Sequence, residues 1–191
     1  MKFKFRNLFI IIFSCFILLS CLSGYNGNLK KVSLNRVIDG DTIKVSIDGK
    51  LENVRLLLID APEIRGSYPY SSEARKFLER RLSDDEYVYL EMDGKERDNY
   101  GRLLAYVWYY DGDKLKMLNE DVVGEGLARV AYVFEGAKHL EILNLAQENA
   151  KVKGENIWSI EGYVTDSGFK KQNWFYRSIV YEKNIYKRYE L

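Results

Sequence analysis

Two adjacent segments constrain the fold more than any other part of the chain. Residues 42–47 alternate between apolar and polar side chains, as expected for a strand with one buried face. Asp48-Gly49 follows, a pair that favours a tight hairpin because its turn requires positive φ. Residues 54–59 are apolar apart from Arg55 and predict a strand buried on both faces. The two segments therefore predict a hairpin whose second strand lies inside the fold.

Five short strands and three helices are predicted in all. Besides the hairpin strands, short segments rich in apolar residues predict strands at 32–37, 87–91 and 103–110. Apolar residues at helical spacing predict helices at 72–82, 118–123 and 138–151. Strands with helices inserted between and after them favour an α+β fold, a five-stranded OB-fold barrel with three helices. We expect His139 to be a solvated helix residue and Trp158 to be a core anchor.

Charge and cysteine content restrict how the chain can bind a partner and how it can be stabilised. Residues 1–20 contribute three of the 29 basic residues and no acid, so the remainder has a formal charge of −2. Nucleic acid must therefore be bound in a focused cleft, because the whole surface does not attract a polyanion. Cys15 and Cys21 are the only cysteines. This excludes a cysteine zinc cluster and leaves the fold to its hydrophobic core.

The N-terminal segment is typical of an export signal. Three basic residues within the first six precede an apolar stretch at 8–19, which is short for a membrane span and suits a signal peptide. Residues 18–21, LLSC, resemble a bacterial lipobox. We expect a lipoprotein signal peptide at 1–20, a lipidated Cys21 and a polar tether at 21–31. The protein is then lipid-anchored in the bacterial cell envelope, outside the cytoplasm. The alternatives are secretion without lipid and an uncleaved anchor.

The segment 161–191 differs in character from the predicted domain at 32–160. Aromatic side chains are interleaved there with lysines and arginines. This pattern can stack on single-stranded bases and neutralise phosphates. The alternative, which we favour, is a terminal element that packs its aromatic side chains against the barrel.

Two aspartates near predicted strand ends indicate a metal site. Asp41 belongs to the sequence DGDT, and Asp60 ends the apolar strand just before Ala61 and Pro62. Because proline turns the chain out of the strand, both carboxylates can lie at one rim of the barrel. The carbonyl oxygen of Ala61 is a third donor. Such oxygen ligands bind hard cations such as Ca²⁺, with water and substrate phosphate as the remaining ligands.

Charged side chains near these aspartates favour phosphodiester chemistry. Arg55 lies five residues before Asp60, and Arg102 lies on a predicted loop. Two arginines and a cation around one phosphodiester neutralise the charge of its five-coordinate transition state. Glu63 lies just past the metal-binding turn, where it can orient or deprotonate an attacking water. Together these residues predict a hydrolytic site.

Five segments, in this order, resemble those of a known family. They are VIDGDTIKV at 37–45, RLLLIDAPE at 55–63, DNYGRLLAYV at 98–107, EGLARVAYV at 125–133 and NIWS at 156–159. Their order and spacing are similar to those of the staphylococcal (micrococcal) nuclease family, also called thermonucleases. The resemblance covers about 32–159 and implies an OB barrel with three helices.

The resemblance also implies roles for individual residues. The implied Ca²⁺ ligands are Asp41, Asp60 and the Ala61 carbonyl; the implied catalytic residues are Arg55, Glu63 and Arg102; and the implied nucleotide pocket includes Tyr100 and Tyr132. The implied activity is Ca²⁺-dependent, sugar-nonspecific endonucleolytic cleavage of DNA and RNA to 3′-phosphates, with no obligate protein partner. The alternative is a catalytically idle domain of this type that binds nucleic acid or protein.

Overall fold

The computed structural model describes residues 28–171. The first three strands form an antiparallel meander. Its strands are β1 (Lys30–Asp39), β2 (Thr42–Ile47) and β3 (Lys50–Leu56). Asp48 and Gly49 join β2 to β3 with φ values of 52° and 77°. Positive φ at both residues is the backbone of a type I′ turn, so the predicted hairpin is confirmed. The first strand begins at Lys30, inside the range expected for the tether.

Two further strands close the meander into a barrel. β5 (Tyr87–Arg97) pairs antiparallel with β1, and β6 (Leu103–Asp111) pairs antiparallel with β5 and parallel with β3. The closed circuit of five strands confirms the predicted OB-type barrel. β7 (Lys114–Met117) lies outside this circuit and pairs with β6 alone.

The predicted strand at 54–59 is two strands separated by a turn, so this prediction is wrong. β3 ends at Leu56, and a short β4 (Ile59–Asp60) pairs with β8 (Arg129–Val130). Leu58 has a φ of 59°, an unfavourable value for a residue with a branched side chain. The turn is stabilised from outside, because Asn119 Nδ2 donates to the Leu57 carbonyl at 2.9 Å. As a result, the chain leaves the barrel before Asp60.

All three predicted helices are confirmed, with ends shifted by at most two residues. They are α1 (Ser71–Arg81), α2 (Leu118–Gly124) and α3 (Leu140–Lys153). α1 buries Ala74 and Leu78, and α3 ends at Gly154, whose φ of 63° provides the left-handed C-cap. α2 packs against α3 and β6, which joins the helices to the barrel core.

The expectation for His139 is wrong, whereas Trp158 packs against the last helix as expected but is only partly buried. His139 precedes α3, and its Nε2 lies 2.8 Å from Oε2 of the buried Glu91. Its ring packs edge-on against Tyr106, so it is a partly buried contact residue. Trp158 is half-buried, with the Lys151 Nζ over its ring. The fully buried residue of the short 3₁₀ helix Asn156–Ser159 is instead Ile157.

A small hairpin follows the last helix. Its strands are β9 (Val164–Thr165) and β10 (Gly168–Phe169). The remainder of the aromatic and basic segment, 172–191, lies outside the described residues, as do the predicted signal peptide and Cys21. Within 28–171, no helix has the length and apolar character needed to cross a membrane.

Candidate functional site

A two-residue turn, Gly40-Asp41, holds the first predicted carboxylate between β1 and β2. A Cβ at Gly40 would lie 2.6 Å from the Cβ of Ala74 and 2.8 Å from that of Ala61. Only glycine therefore allows the turn to approach both residues this closely. The Asp41 carboxylate is buried, and its Oδ2 accepts a hydrogen bond of 2.9 Å from the Ala61 N–H. The Thr42 hydroxyl donates to Oδ1, also at 2.9 Å. Asp41 is thus fixed beside Ala61.

Arg55 lies between the two predicted metal-binding aspartates. Its Nη1 is 2.5 Å from Asp41 Oδ2, and its Nη2 donates to Asp60 Oδ1 at 3.2 Å. All three residues are less than one-tenth exposed. Because buried charges are costly without a partner, the guanidinium stabilises both carboxylates where they are. The structure therefore brings together three of the predicted site residues, two aspartates around one arginine.

Arg129 is a second buried arginine at this site, and the sequence analysis missed it. Its Nε and Nη2 both lie 3.0 Å from Asp60 Oδ2. The pairing of β4 with β8 places Arg129 opposite Asp60. A signal was present in the sequence, since Arg129 is the one charged residue in the segment 127–133. A charge in such an apolar segment requires a buried partner of opposite sign.

Burial and like charge oppose ionisation of the carboxyl groups here. Burial raises the pKa of Asp60 above its usual range, although Arg129 and Arg55 act in the opposite direction. Burial also raises the pKa of Asp39, whose carboxylate accepts the Gly40 N–H at 2.8 Å. Asp39 is a further residue that the sequence analysis did not select, although it begins the sequence DGDT. Asp39, Asp41 and Asp60, called here the acidic cluster, are thus buried or half-buried together, and Arg55 and Arg129 supply the positive charge that opposes their repulsion.

Glu63 lies at the solvent-facing side of this cluster. The residue as a whole is exposed, but its carboxyl group is partly surrounded by protein. This partial burial and the negative charges of Asp41 and Asp39 raise the pKa of Glu63 above the usual range. A carboxylate with a raised pKa is a better proton acceptor than an ordinary one. Its position, near the other carboxylates and open to water, is compatible with the predicted role as a base.

Arg102 is held in place by its own loop. Asp98 accepts hydrogen bonds from the Arg102 Nε at 2.6 Å and from the Arg102 N–H at 2.9 Å. Partial burial acts against the ionised form, but the hydrogen bonds from Arg102 and the Tyr100 N–H and the charge of Arg102 together lower the pKa of Asp98. Leu104 pairs with Arg55 across the parallel strands. Arg102 immediately precedes β6, so its backbone lies next to the strand that carries Arg55.

The two predicted pocket tyrosines lie beside the two arginines. The Tyr132 ring centroid is 5.8 Å from the Arg55 Cζ, and the Tyr100 ring centroid is 5.5 Å from the Arg102 Cζ. Their residues are 71% and 86% exposed. Both rings are therefore open to a ligand that also contacts the guanidinium groups.

The donor set fits a hard cation, provided that the ligand supplies part of the coordination. Within residues 28–171, no group of three or more histidines, cysteines, aspartates or glutamates is arranged to hold a metal ion. The candidate donors are the carboxylates of Asp41 and Asp60, which Arg55 bridges, together with the predicted Ala61 carbonyl, and all of them are oxygen atoms. Hard divalent cations prefer such donors and keep water or phosphate oxygens in the remaining positions.

Comparison with known proteins points to one family. Residues 53–160 match the family model described as staphylococcal nuclease homologue. The chain is 46% identical over 147 residues to endonuclease YncB of Bacillus subtilis (strain 168), which covers 74% of this chain and 67% of that protein. A match of the same identity and length, to the SPbeta prophage-derived endonuclease YokF of that organism, covers 48% of the relative. The thermonuclease of Staphylococcus hyicus is 41% identical over 138 residues, which cover 70% of this chain and 79% of the relative.

The matched region contains most of the site described above. The family model includes Arg55, Asp60, Glu63, Arg102 and Arg129, and it spans more than half of the chain. Endonuclease YncB and the Staphylococcus hyicus thermonuclease are each matched over two thirds or more of their own length. The chain therefore belongs to the staphylococcal nuclease family and is a hydrolase, a nuclease of that type.

Proposed function

We propose that this nuclease is a Ca²⁺-dependent, sugar-nonspecific endonuclease that cleaves DNA and RNA and leaves 3′-phosphate ends. The observation that carries the proposal is the buried cluster of Asp41, Arg55 and Asp60, with Glu63 in electrostatic reach. Carboxylate oxygens suit a hard cation, and guanidinium groups suit a phosphate. One site thus combines the two chemistries that phosphodiester hydrolysis requires.

Each group has a distinct task in this mechanism. Asp41, Asp60 and the Ala61 carbonyl would hold the cation, which when bound polarises a phosphoryl oxygen. Arg55 and Arg102 bind the non-bridging phosphate oxygens, where negative charge increases in the transition state. The planar guanidinium fork can contact two of these oxygens at once.

The proton and the bonds can be followed through the step. Glu63 accepts a proton from water, and the water oxygen attacks phosphorus. The bond from phosphorus to the 5′ oxygen breaks, which leaves the phosphate on the 3′ side. Arg102 donates a hydrogen bond to the departing oxygen until that oxygen takes up a proton from solvent water, and Glu63 releases its proton to solvent. The products are a 3′-phosphate and a 5′-hydroxyl.

The exposed tyrosines support activity on both sugars. The Tyr100 and Tyr132 rings are open to solvent beside the arginines. Stacking on an aromatic ring depends on the face of the base and not on the sugar. A substrate bound by stacking and by phosphate contacts can therefore have either ribose or deoxyribose.

Ca²⁺ is expected to be required for cleavage. Purified protein should digest plasmid DNA and RNA in Ca²⁺, and a chelator should stop the reaction, because the acidic cluster needs a cation to bind phosphate. The measurement is the rate of digestion in Ca²⁺, Mg²⁺ and chelator, followed by end-group analysis of the products.

A pair of variants identifies the cation site in this assay. Asp60→Asn should need more Ca²⁺ for cleavage, whereas the exposed Asp113→Asn should behave like the unmodified protein. Full activity in chelator would exclude the metal assignment. Binding of nucleic acid without cleavage in any cation would mean an idle domain.

We also propose that Cys21 carries a lipid that anchors the protein outside the cytoplasm, on the basis of the LLSC sequence at 18–21. Cys21→Ser should move the protein from the membrane fraction to the soluble or secreted fraction, because the acylated residue is lost. The measurement is fractionation followed by immunodetection, with Cys15→Ser as the matched control. Retention of Cys21→Ser in the membrane fraction would favour an uncleaved apolar segment as the anchor.

A further inference from the structure

The residues that follow the family-matched region fold against the nuclease site. The family model ends at residue 160, and the described chain continues to 171. Tyr163 is fully buried there, and its hydroxyl donates to the Pro69 carbonyl at 2.7 Å. The Lys170 N–H donates to the Tyr163 carbonyl at 2.9 Å, and the Phe169 ring lies 5.3 Å from the Tyr163 ring. Residues 161–171, called here the C-terminal hairpin, are therefore anchored to the domain.

The C-terminal hairpin contacts the arginine that holds Asp60. Arg129 Nη1 donates to the Asp166 carbonyl at 3.2 Å, and the Arg129 Cζ lies 6.0 Å from the centre of the Phe169 ring. A Cβ at Gly168 would lie 4.0 Å from Asp60 Oδ2. The hairpin thus packs directly beside Asp60 and Arg129.

The contacts of Arg129 divide between the site and the hairpin. Nε and Nη2 bind Asp60 Oδ2, and Nη1 binds the hairpin. Because the guanidinium is planar and rigid, fixing one nitrogen orients the other two. Arg129 thereby holds Oδ2 of Asp60 in place. The other carboxylate oxygen of Asp60, Oδ1, faces Arg55 in the centre of the acidic cluster.

We propose that the C-terminal hairpin is a positioning element of the nuclease site, which holds Arg129 so that Asp60 presents its Oδ1 to the cation. This inference rests on the proposed role of Asp60 as a cation ligand. Groups that orient a metal-binding side chain change metal affinity by roughly 10- to 100-fold when they are lost. The expected defect is therefore weaker cation binding, which excess cation overcomes.

Gly168→Val tests the proposal in the full chain. The added side chain would extend from a Cβ in van der Waals contact with Asp60 Oδ2, and the φ of 130° at Gly168 disfavours any residue with a Cβ. We expect the Ca²⁺ concentration that gives half-maximal thermal stabilisation, measured without nucleic acid, to rise about tenfold. The cleavage rate at low Ca²⁺ should fall by a similar factor and recover at saturating Ca²⁺.

Gly112→Val is the matched control. Gly112 also has positive φ, but nothing lies within 4 Å of a Cβ placed there, and it belongs to the β6–β7 turn. It should lose some stability and keep the Ca²⁺ response of the unmodified protein. Equal Ca²⁺ responses in the two variants would overturn the inference.

Two further variants apply if Gly168→Val does not fold. Phe169→Leu keeps apolar volume but removes the ring beside Arg129, and Arg129→Lys keeps the charge but removes the fork. Both should raise the half-maximal Ca²⁺ concentration, and unchanged values in both would refute the proposal. If the unmodified protein shows no Ca²⁺ response at all, the proposed cation site itself is wrong, which is a distinguishable result.

Discussion

Replacing Arg55 with methionine should abolish most of the activity and also destabilise the chain. Arg55 contacts Asp41 and Asp60, and all three residues are less than one-tenth exposed. Removal of one partner from a buried ion pair typically costs about 3 kcal/mol or more, because the remaining charge is buried without compensation. Loss of a phosphate-binding donor should lower kcat/KM by roughly 100- to 1000-fold.

The loss of stability and the loss of activity should respond differently to Ca²⁺. A cation bound by the two carboxylates replaces the charge of the missing guanidinium, so it should restore much of the free energy of unfolding. It does not replace the hydrogen bonds to phosphate, so activity should stay low. By linkage, a cation that stabilises the variant more than the unmodified protein also binds the variant more tightly.

Urea unfolding in chelator and in Ca²⁺, together with steady-state kinetics, separates these effects. Arg36→Met is the control, because Arg36 is exposed on β1, and it should change neither quantity appreciably. Equal destabilisation of the Arg55 variant in chelator and in Ca²⁺ would show that no cation compensates Asp41 and Asp60. Full activity of that variant would remove Arg55 from the mechanism.

Residue preferences within short segments predicted the parts of the fold that depend only on neighbouring residues. The Asp48-Gly49 turn depends on the φ preferences of two residues, and the end of α3 depends on Gly154, so both could be identified from the sequence. The roles of Asp41, Arg55, Asp60, Glu63 and Arg102 were predicted from motifs, and the structure places the first three in direct contact. Their catalytic roles stay predictions.

Features with distant causes were missed. The turn at Leu57-Leu58 is held by Asn119, more than sixty positions along the chain, and periodicity within 54–59 contains no trace of it. Arg129 was missed because its partner, Asp60, is reached only through the pairing of β4 with β8. For 161–171 the sequence favoured packing of aromatic side chains against the barrel, but the partner of Tyr163, Pro69, could not be identified because it is remote in sequence.

Glu63→Gln should fold like the unmodified protein and lose roughly 100- to 10,000-fold in kcat, the range expected when a general base is removed. The side chain is exposed, so an amide of the same shape causes no cavity and buries no unpaired group. Its carboxylate is repelled by Asp41 and Asp39, so neutralisation should leave stability unchanged or slightly increased. KM should change little, because the amide still fits beside the substrate.

The kinetic pattern distinguishes a base from a residue that only shapes the site. A base acts in the transition state, so its loss lowers kcat and kcat/KM together. Glu135→Gln is the matched control, since Glu135 is an exposed glutamate on another loop, and its kcat should be unchanged. Single-turnover rates in saturating Ca²⁺ measure the chemical step directly. If Glu63→Gln cleaves at the rate of the unmodified protein, some other group activates the water. The role of base must then be reassigned, and the next candidate is Asp39, the half-buried carboxylate that precedes Gly40.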